Sequence, residues 1–447
     1  MRIYLLIWLS LLLLLTGFRD RKIYQAGQIR NRSQWFEPPP HGMVHIQRGS
    51  FTMGPSGEET DLHGKTVTVS VDAFWMDDTE ITNTEYRQFV HWVRDSIART
   101  FLGEVYPDYL TTEDSKGNLL PNPVINWRRP IPWNNPDIQS VLSDMYVPDY
   151  ERIAFRKELD SRKLVYEYHW INFQEAARRI NSYDFENQAY NGFTLAADGT
   201  EVPVTSRNAF LHSDRVPIYP DTLVWIRDFT YAYNEPLTKH YFSHRAFDDY
   251  PVVGISWHQA RAFAHWRTQL EKQFRSRMND IPAHDFRLPT EAEWEYASRG
   301  GKLQSMYPWG SYYVRDQEGC FIANFKPFRG NYIADSDDRA TTNRVGSFPP
   351  NDFGLYDMAG NVAEWTSTAF FETGYSMMGD FNPQVEYHAR AEDPPAMKRK
   401  VVRGGSYKDV SYFLQNGTRT YEYQDTTKSY VGFRLVRSTF RNEIQQR

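Results

Sequence analysis

Large flat side chains and backbone breakers occur together along the whole of this chain. It carries 29 Tyr, 28 Phe and 13 Trp beside 26 Gly and 25 Pro. Gly and Pro interrupt helix interiors and central strands, so the polypeptide must turn often. Aromatic rings supply the apolar area needed to pack irregular segments against one another. The pairing argues against a helical bundle and predicts a loop-rich α+β domain with little regular secondary structure.

A length of 447 residues allows two domains, or one large domain with an insertion. Charge is nearly balanced, 51 Lys and Arg against 56 Asp and Glu, without the basic excess of a nucleic-acid binder. The short run Lys398-Arg399-Lys400 reads as a solvated loop. A single cysteine, Cys320, precludes an internal disulfide and is expected as a small buried apolar residue.

The N-terminus reads as an export signal over residues 1–17. Arg2 precedes an apolar run, Ile3–Leu15, that is shorter than the roughly 20 residues a membrane-spanning helix needs. Leu15-Thr16-Gly17 resembles the end of a bacterial lipoprotein signal, but Phe18 stands where a cysteine would take the lipid. Signal cleavage and retention as an anchor both stay open. Residues 18–42 then read as an extended tether containing Pro38-Pro39-Pro40.

From Met43 the pattern changes. Met43–Gly54 predicts a strand with a turn, and the alternating Val67–Met76 predicts a strand. Thr82-Asn-Thr-Glu85 is a capping box that opens a helix over Asn83–Ser96, with Tyr86, Phe89, Val90 and Val93 on one face. A helix is expected over Ser256–Leu270, with Ala260, Phe263, Ala264 and Trp266 inward. Another is expected over Glu291–Arg299, capped by Thr290 and stopped by Gly300-Gly301. Residues 97–245 hold Pro/Asn-rich loops and one expected helix, Trp170–Ile180.

An ordered set of motifs carries a resemblance. Its first half is Met53-Gly54, Asp78-Thr-Glu-Ile-Thr-Asn-Thr-Glu-Tyr86 and Pro251-Val-Val-Gly-Ile-Ser-Trp257. Its second half is Arg287-Leu-Pro-Thr-Glu-Ala-Glu-Trp-Glu-Tyr-Ala297, Tyr307-Pro-Trp-Gly310, Asn351–Trp365, Arg403-Gly-Gly-Ser-Tyr407 and Gly432-Phe-Arg434. Together these resemble the formylglycine-generating-enzyme (sulfatase-modifying factor) family. The resemblance implies one domain over 43–437 with a C-type-lectin-like fold, a long insertion at about 97–245 and a tail at 438–447. It also implies structural calcium. One site would use the side chains of Asp357 and Glu364 and the carbonyls of Gly360 and Val362. A second would use Asn324, Phe325, Asp337 and Arg339. Turn-capping without metal is the alternative for Asp357 and Glu364.

The oxidases of this family place two cysteines after Gly-Gly-Ser-Tyr, where they bind copper. Here Asp409 and Leu414 stand in those places. Leu414 offers no ligand, and Asp409 is a hard donor for soft Cu(I), so no copper and no catalytic residue are expected. His258 and His265, seven apart, are expected in surface or core roles rather than as metal ligands. Trp127, Trp133, Trp170, Arg128, Arg129, Arg178 and Arg179 recur in the insertion and are residue types favoured at protein interfaces.

The signal-like start, tether, missing cysteines and insertion resemble the gliding-motility and type IX secretion lipoproteins of the PorK/GldK type. That resemblance implies self-association into a periplasmic ring at the outer membrane, with a soluble PorN/GldN-type partner. A copper-dependent oxidase acting on peptide cysteine and a calcium-braced carbohydrate-binding module remain as alternatives.

Overall fold

The computed structural model describes residues 37–56, 66–113, 116–152, 156–195, 200–229, 235–327 and 341–440. The signal expected at 1–17, most of the tether, Asp337, Arg339 and residues 441–447 lie outside the described residues. From Pro39 on, the described residues belong to one compact unit.

Four short strands open the chain: β1 (Met43–Ile46), β2 (Gly49–Met53), β3 (Val67–Val71) and β4 (Phe74–Asp77). The alternating segment expected as one strand is therefore two. It breaks at Asp72-Ala73, β3 pairing with β2 and β4 with β1. Helix α1 follows at Asn83–Val105, longer than expected, and its capping box is formed from both sides. Thr82 accepts from the Glu85 N–H while Glu85 reaches back to the Thr82 N–H at 2.8 Å.

The stretch expected as an insertion, residues 97–245, builds an antiparallel pair, β5 (Val165–Ile171) with β6 (Leu211–Pro217). The helix expected over Trp170–Ile180 does not form. Its start belongs to β5, and an α-helical turn at Phe173–Ala176 and a 3-10 turn at Arg179–Asn181 are what remain. The period explains the change: Tyr166 and Tyr168 point inward while Glu167 and His169 face solvent, a two-residue repeat.

Helix α2 (Trp257–Arg277) starts on a second capping box, Ser256 with Gln259. After β7 (Phe286–Arg287), helix α3 (Glu291–Ser298) starts on a third, Thr290 with Glu293. Gly300 and Gly301 end it at φ of +58° and +79°, a region where side chains are strained. The remaining strands are β8 (Ala363–Ala369), β9 (Arg399–Arg403), β10 (Thr420–Tyr423), β11 (Val431–Gly432) and β12 (Val436–Ser438). One four-stranded sheet has the order β1-β4-β12-β7, so it joins both ends of the chain. The other has the order β10-β9-β8-β11, with β8 and β11 parallel.

The main core lies where α1, α2 and the insertion meet. Phe89 of α1 has ring neighbours Tyr166 at 5.2 Å, Trp266 at 5.2 Å and Phe263 at 5.9 Å. The inward residues expected on α1 and α2 are all buried. Burying one such aromatic contributes about 1.5–3 kcal/mol. The insertion is thus part of the core, with Leu142, Tyr166, Val216 and Ile218 in the same cluster.

Two further expectations change. Lys398-Arg399-Lys400 is not a solvated loop: it enters β9, and Lys400 is fully buried with its ammonium 4.0 Å from the Trp257 ring centroid. Strand pairing carries it inward, and the indole face compensates the charge. Cys320 is exposed rather than buried. It closes the turn Asp316–Gly319, where its N–H donates to Asp316 Oδ1 at 2.9 Å, and that geometry leaves the thiol outside.

Candidate functional site

The motif residues come together as two buried ionic networks that hold the Gly-Gly-Ser-Tyr loop. In the first, α3 presents Glu291 and Glu295, both fully buried. Arg403, which opens the loop, reaches Glu291 at 3.2 Å and also pairs with Glu295. Arg299 holds Glu295 at 2.6 Å and the Gly54 carbonyl at 2.7 Å. Arg419 donates to Glu291 at 2.9 Å. One helix turn separates the two carboxylates, so a single face of α3 anchors three distant segments.

The second network contains the residues expected to bind calcium. Glu364 on β8 accepts from Arg434 Nη2 at 2.7 Å, from Arg434 Nε at 2.9 and 2.8 Å, and from Trp294 Nε1 at 2.8 Å. Asp357 accepts from the Gly346 N–H at 2.6 Å. Asp357, Gly360 and Asn361 all have positive φ, which makes the tight turn. A Cβ on Gly360 would sit 2.4 Å from the Asn324 carbonyl oxygen, so the glycine is required there. Glu80, which the sequence reading did not single out, accepts from Asn361 Nδ2 at 3.1 Å. Burial, then the nearby carboxylates of Asp357 and Glu364, pushes Glu80 well above the usual carboxylate range. Burial also pushes Asp357 up to about 6.

At the second expected calcium site, Asn324 donates to the Thr341 carbonyl at 2.9 Å and to Asn361 Oδ1 at 3.3 Å. Phe325 packs in an apolar cluster. Asp337 and Arg339 fall outside the described residues, so the four are not seen together.

Among the described residues, no three His, Cys, Asp or Glu side chains group so as to hold a metal ion. A hard cation needs about six to eight oxygens. The all-oxygen donor set suits calcium in kind. The side-chain oxygens of Glu364 are already committed to Arg434 and Trp294, so ligation at the first site would rest on Asp357 and the carbonyls of Gly360 and Val362.

Asp409 and Leu414, expected to stand in place of cysteines, each have partners within the fold. Leu414 is fully buried in the cluster of Tyr307, Ala323, Phe325 and Ala359. Asp409 accepts from Ser406 Oγ at 2.6 Å, its carbonyl accepts from Lys326 N at 2.9 Å, and burial pushes its carboxyl up. His258 pairs with Asp425 at 3.1 Å, and His265 hydrogen-bonds Tyr166 at 2.9 Å. Each histidine thus has its own surface or core partner.

Residues 31–131 and 174–439 match the family described as Sulfatase-modifying factor enzyme 1-like domain. The chain belongs to that family. The formylglycine-generating enzyme of Bos taurus is 26% identical over 89% of this chain and 75% of that protein. The formylglycine-generating enzyme of Mus musculus is 33% identical, but over 42% of this chain and 44% of its own length. The Inactive C-alpha-formylglycine-generating enzyme 2 of Bos taurus is 31% identical over 42% of this chain and 50% of that protein, so the family includes members named as inactive. Over those last two matches the chain spans about half the length of the relative. The solved structure of PvdO from Pseudomonas aeruginosa overlays with a TM-score of 0.43 at 16% identity, covering 89% of this chain and 94% of that one. The family match, with the mixed helices and short strands described above, gives the α+β fold of the formylglycine-generating-enzyme family. Residues 132–173, which include β5, fall outside the family match.

Among the insertion residues expected at an interface, three tryptophans serve the fold itself. Trp127 stacks on Trp92 at 5.1 Å, and Trp133 lies 4.7 Å from the Arg94 guanidinium. Trp170 packs on His212 at 4.9 Å. Arg129 pairs with Asp108. Arg128, Arg178 and Arg179 are exposed, as are Phe173, Ile180 and Phe185.

Proposed function

We propose that this chain is a non-catalytic structural member of its family, a component of the periplasmic ring of a type IX secretion or gliding-motility apparatus. The observation that carries the non-catalytic reading is the pair Asp409 and Leu414. A buried leucine side chain has no lone pair to offer copper or a substrate thiol, and an aspartate hydrogen-bonded to Ser406 is no thiolate. The framework around the loop is intact, so the domain keeps a rigid surface without the oxidising pair. The exposed arginines and apolar side chains of the insertion, Arg178, Arg179, Ile180 and Phe185, support partner binding. The partner would be a PorN/GldN-type protein and further copies of this chain. Structural calcium at the Asp357 turn and near Asn324 belongs to the same proposal.

Two experiments test it. Pure protein incubated with copper and cysteine peptides is expected to give no aldehyde by mass spectrometry; formylglycine product would overturn the non-catalytic reading. Protein extracted from its native envelope is expected to co-purify with a partner in a large assembly. A lone monomer would sink the ring component.

A further inference from the structure

A cavity of about 280 Å³ opens between the insertion strand β5, helix α2 and the loop around Glu386. Arg261 lines it. The guanidinium carbon lies 4.9 Å from the Trp170 ring centroid and 4.8 Å from that of Trp257, so two indoles fix the side chain in place. Arg261 is about four-fifths buried, yet its nearest carboxylate, Asp214, stands at 3.9 Å, beyond hydrogen-bond distance. Among the described residues its N–H groups make no hydrogen bond to protein.

The two carboxylates lining the cavity are in the opposite condition, and Asp285 pairs with Lys272 at 2.6 Å. Glu386 accepts from Gln174 at 3.2 Å and Gln384 at 3.0 Å, and pairs with His388 at 3.0 Å. The cavity therefore offers the Arg261 donors, while both of its carboxylates already have partners. An acceptor-rich ligand would give the Arg261 N–H groups the hydrogen bonds they lack.

We propose that this cavity binds a carboxylate, with the Arg261 fork as its clamp. Arginine matches a carboxylate with two parallel hydrogen bonds. A cavity at the small end of ligand-site volumes suits a single carboxylate group rather than a large molecule. The charge of Glu386 nearby favours a monoanion over a phosphate dianion. The carboxylate could belong to a chain terminus or to an acidic side chain.

Calorimetric titration of the full chain at pH 7 tests the assignment. N-acetylglycine represents a chain end, N-acetylaspartate amide a side chain, and N-acetylglycinamide and inorganic phosphate are the controls. At least one carboxylate is expected to bind, and which one binds identifies the source. R261K, which keeps the charge but loses the fork, is expected to weaken binding about tenfold or more. The assignment is overturned by any one of four results: neither carboxylate binds, the neutral amide binds equally, phosphate binds more tightly, or a folded R261K binds as the parent does.

Discussion

Replacing Glu364 by Gln separates two roles for the same buried carboxylate. Its oxygens take hydrogen bonds from Arg434 Nη2 at 2.7 Å and from Trp294 Nε1 at 2.8 Å, and neither Glu364 nor Arg434 reaches solvent. Removing one partner of a buried ion pair costs about 3–5 kcal/mol, because the other charge is left without compensation. Glu80 and Asp357 also act on Arg434, so the low end, about 3 kcal/mol, is expected. Urea unfolding at pH 7 with an unchanged slope reads that loss as a shift of the midpoint. The measurement is made in EDTA and again in excess calcium. If Glu364 serves Arg434, the loss is present in EDTA. If it serves calcium, the loss appears with calcium and vanishes in EDTA, since a ligand stabilises only the state that binds it. A loss below about 1 kcal/mol in EDTA would refute the pairing argument. The double variant E364Q/R434M completes the cycle and is expected to lose less than the two single variants added together.

Three other expectations follow from the same geometry. Leu414→Ala empties part of a closed apolar cluster and is expected to cost about 2–5 kcal/mol in urea unfolding; a cost under 1 would mean the cluster collapses freely. Burial pushes Asp77 up to about 6, although Arg267 lies 2.8 Å away. The folded state then holds that proton more tightly than the unfolded chain, so this group favours folding most below about pH 4, and the benefit is lost as pH rises through 6. The gap from the ordinary 3.8 corresponds to about 3 kcal/mol, and the melting profile of Asp77→Asn between pH 4 and 7 should be flatter than the parent's. Cys320 is exposed, so it should react with a maleimide in the native protein as readily as in the unfolded chain, and marked protection would contradict the structure.

Local signals were legible where the local chemistry settles the outcome. The Thr82-to-Glu85 box and the Thr290 cap both form, and the inward faces of α1 and α2 are the ones their periods indicate. The Trp170–Ile180 segment was misread because aromatic residues suit a helix face and a strand face alike, and the alternation that decides between them begins upstream, at Val165. Lys400 could not be read as buried, since its environment depends on strand β9 passing over Trp257, a contact between residues far apart in sequence. Glu80 and Arg434 were missed as members of the Asp357 and Glu364 cluster for the same reason. They lie in motifs nearly 300 residues or some 70 residues away, and only the sheet joining both ends of the chain brings them together.

The residues by which the family is recognised are, in this chain, the residues that hold its framework. Glu291 and Glu295 belong to the Leu-Pro-Thr-Glu motif, Arg403 to the Gly-Gly-Ser-Tyr motif, Glu364 to the Asn351–Trp365 motif and Arg434 to the Gly-Phe-Arg motif. Each one ends in a buried ion pair with another motif. Breaking any of these pairs would leave a buried charge alone, which a marginally stable fold tolerates poorly. Positions 409 and 414 are under a different constraint. Leu414 needs only to fill its cluster, and Asp409 only to hold Ser406. The fold can therefore keep its full set of identifying motifs whatever stands at these two positions, and for this chain the family match describes the architecture.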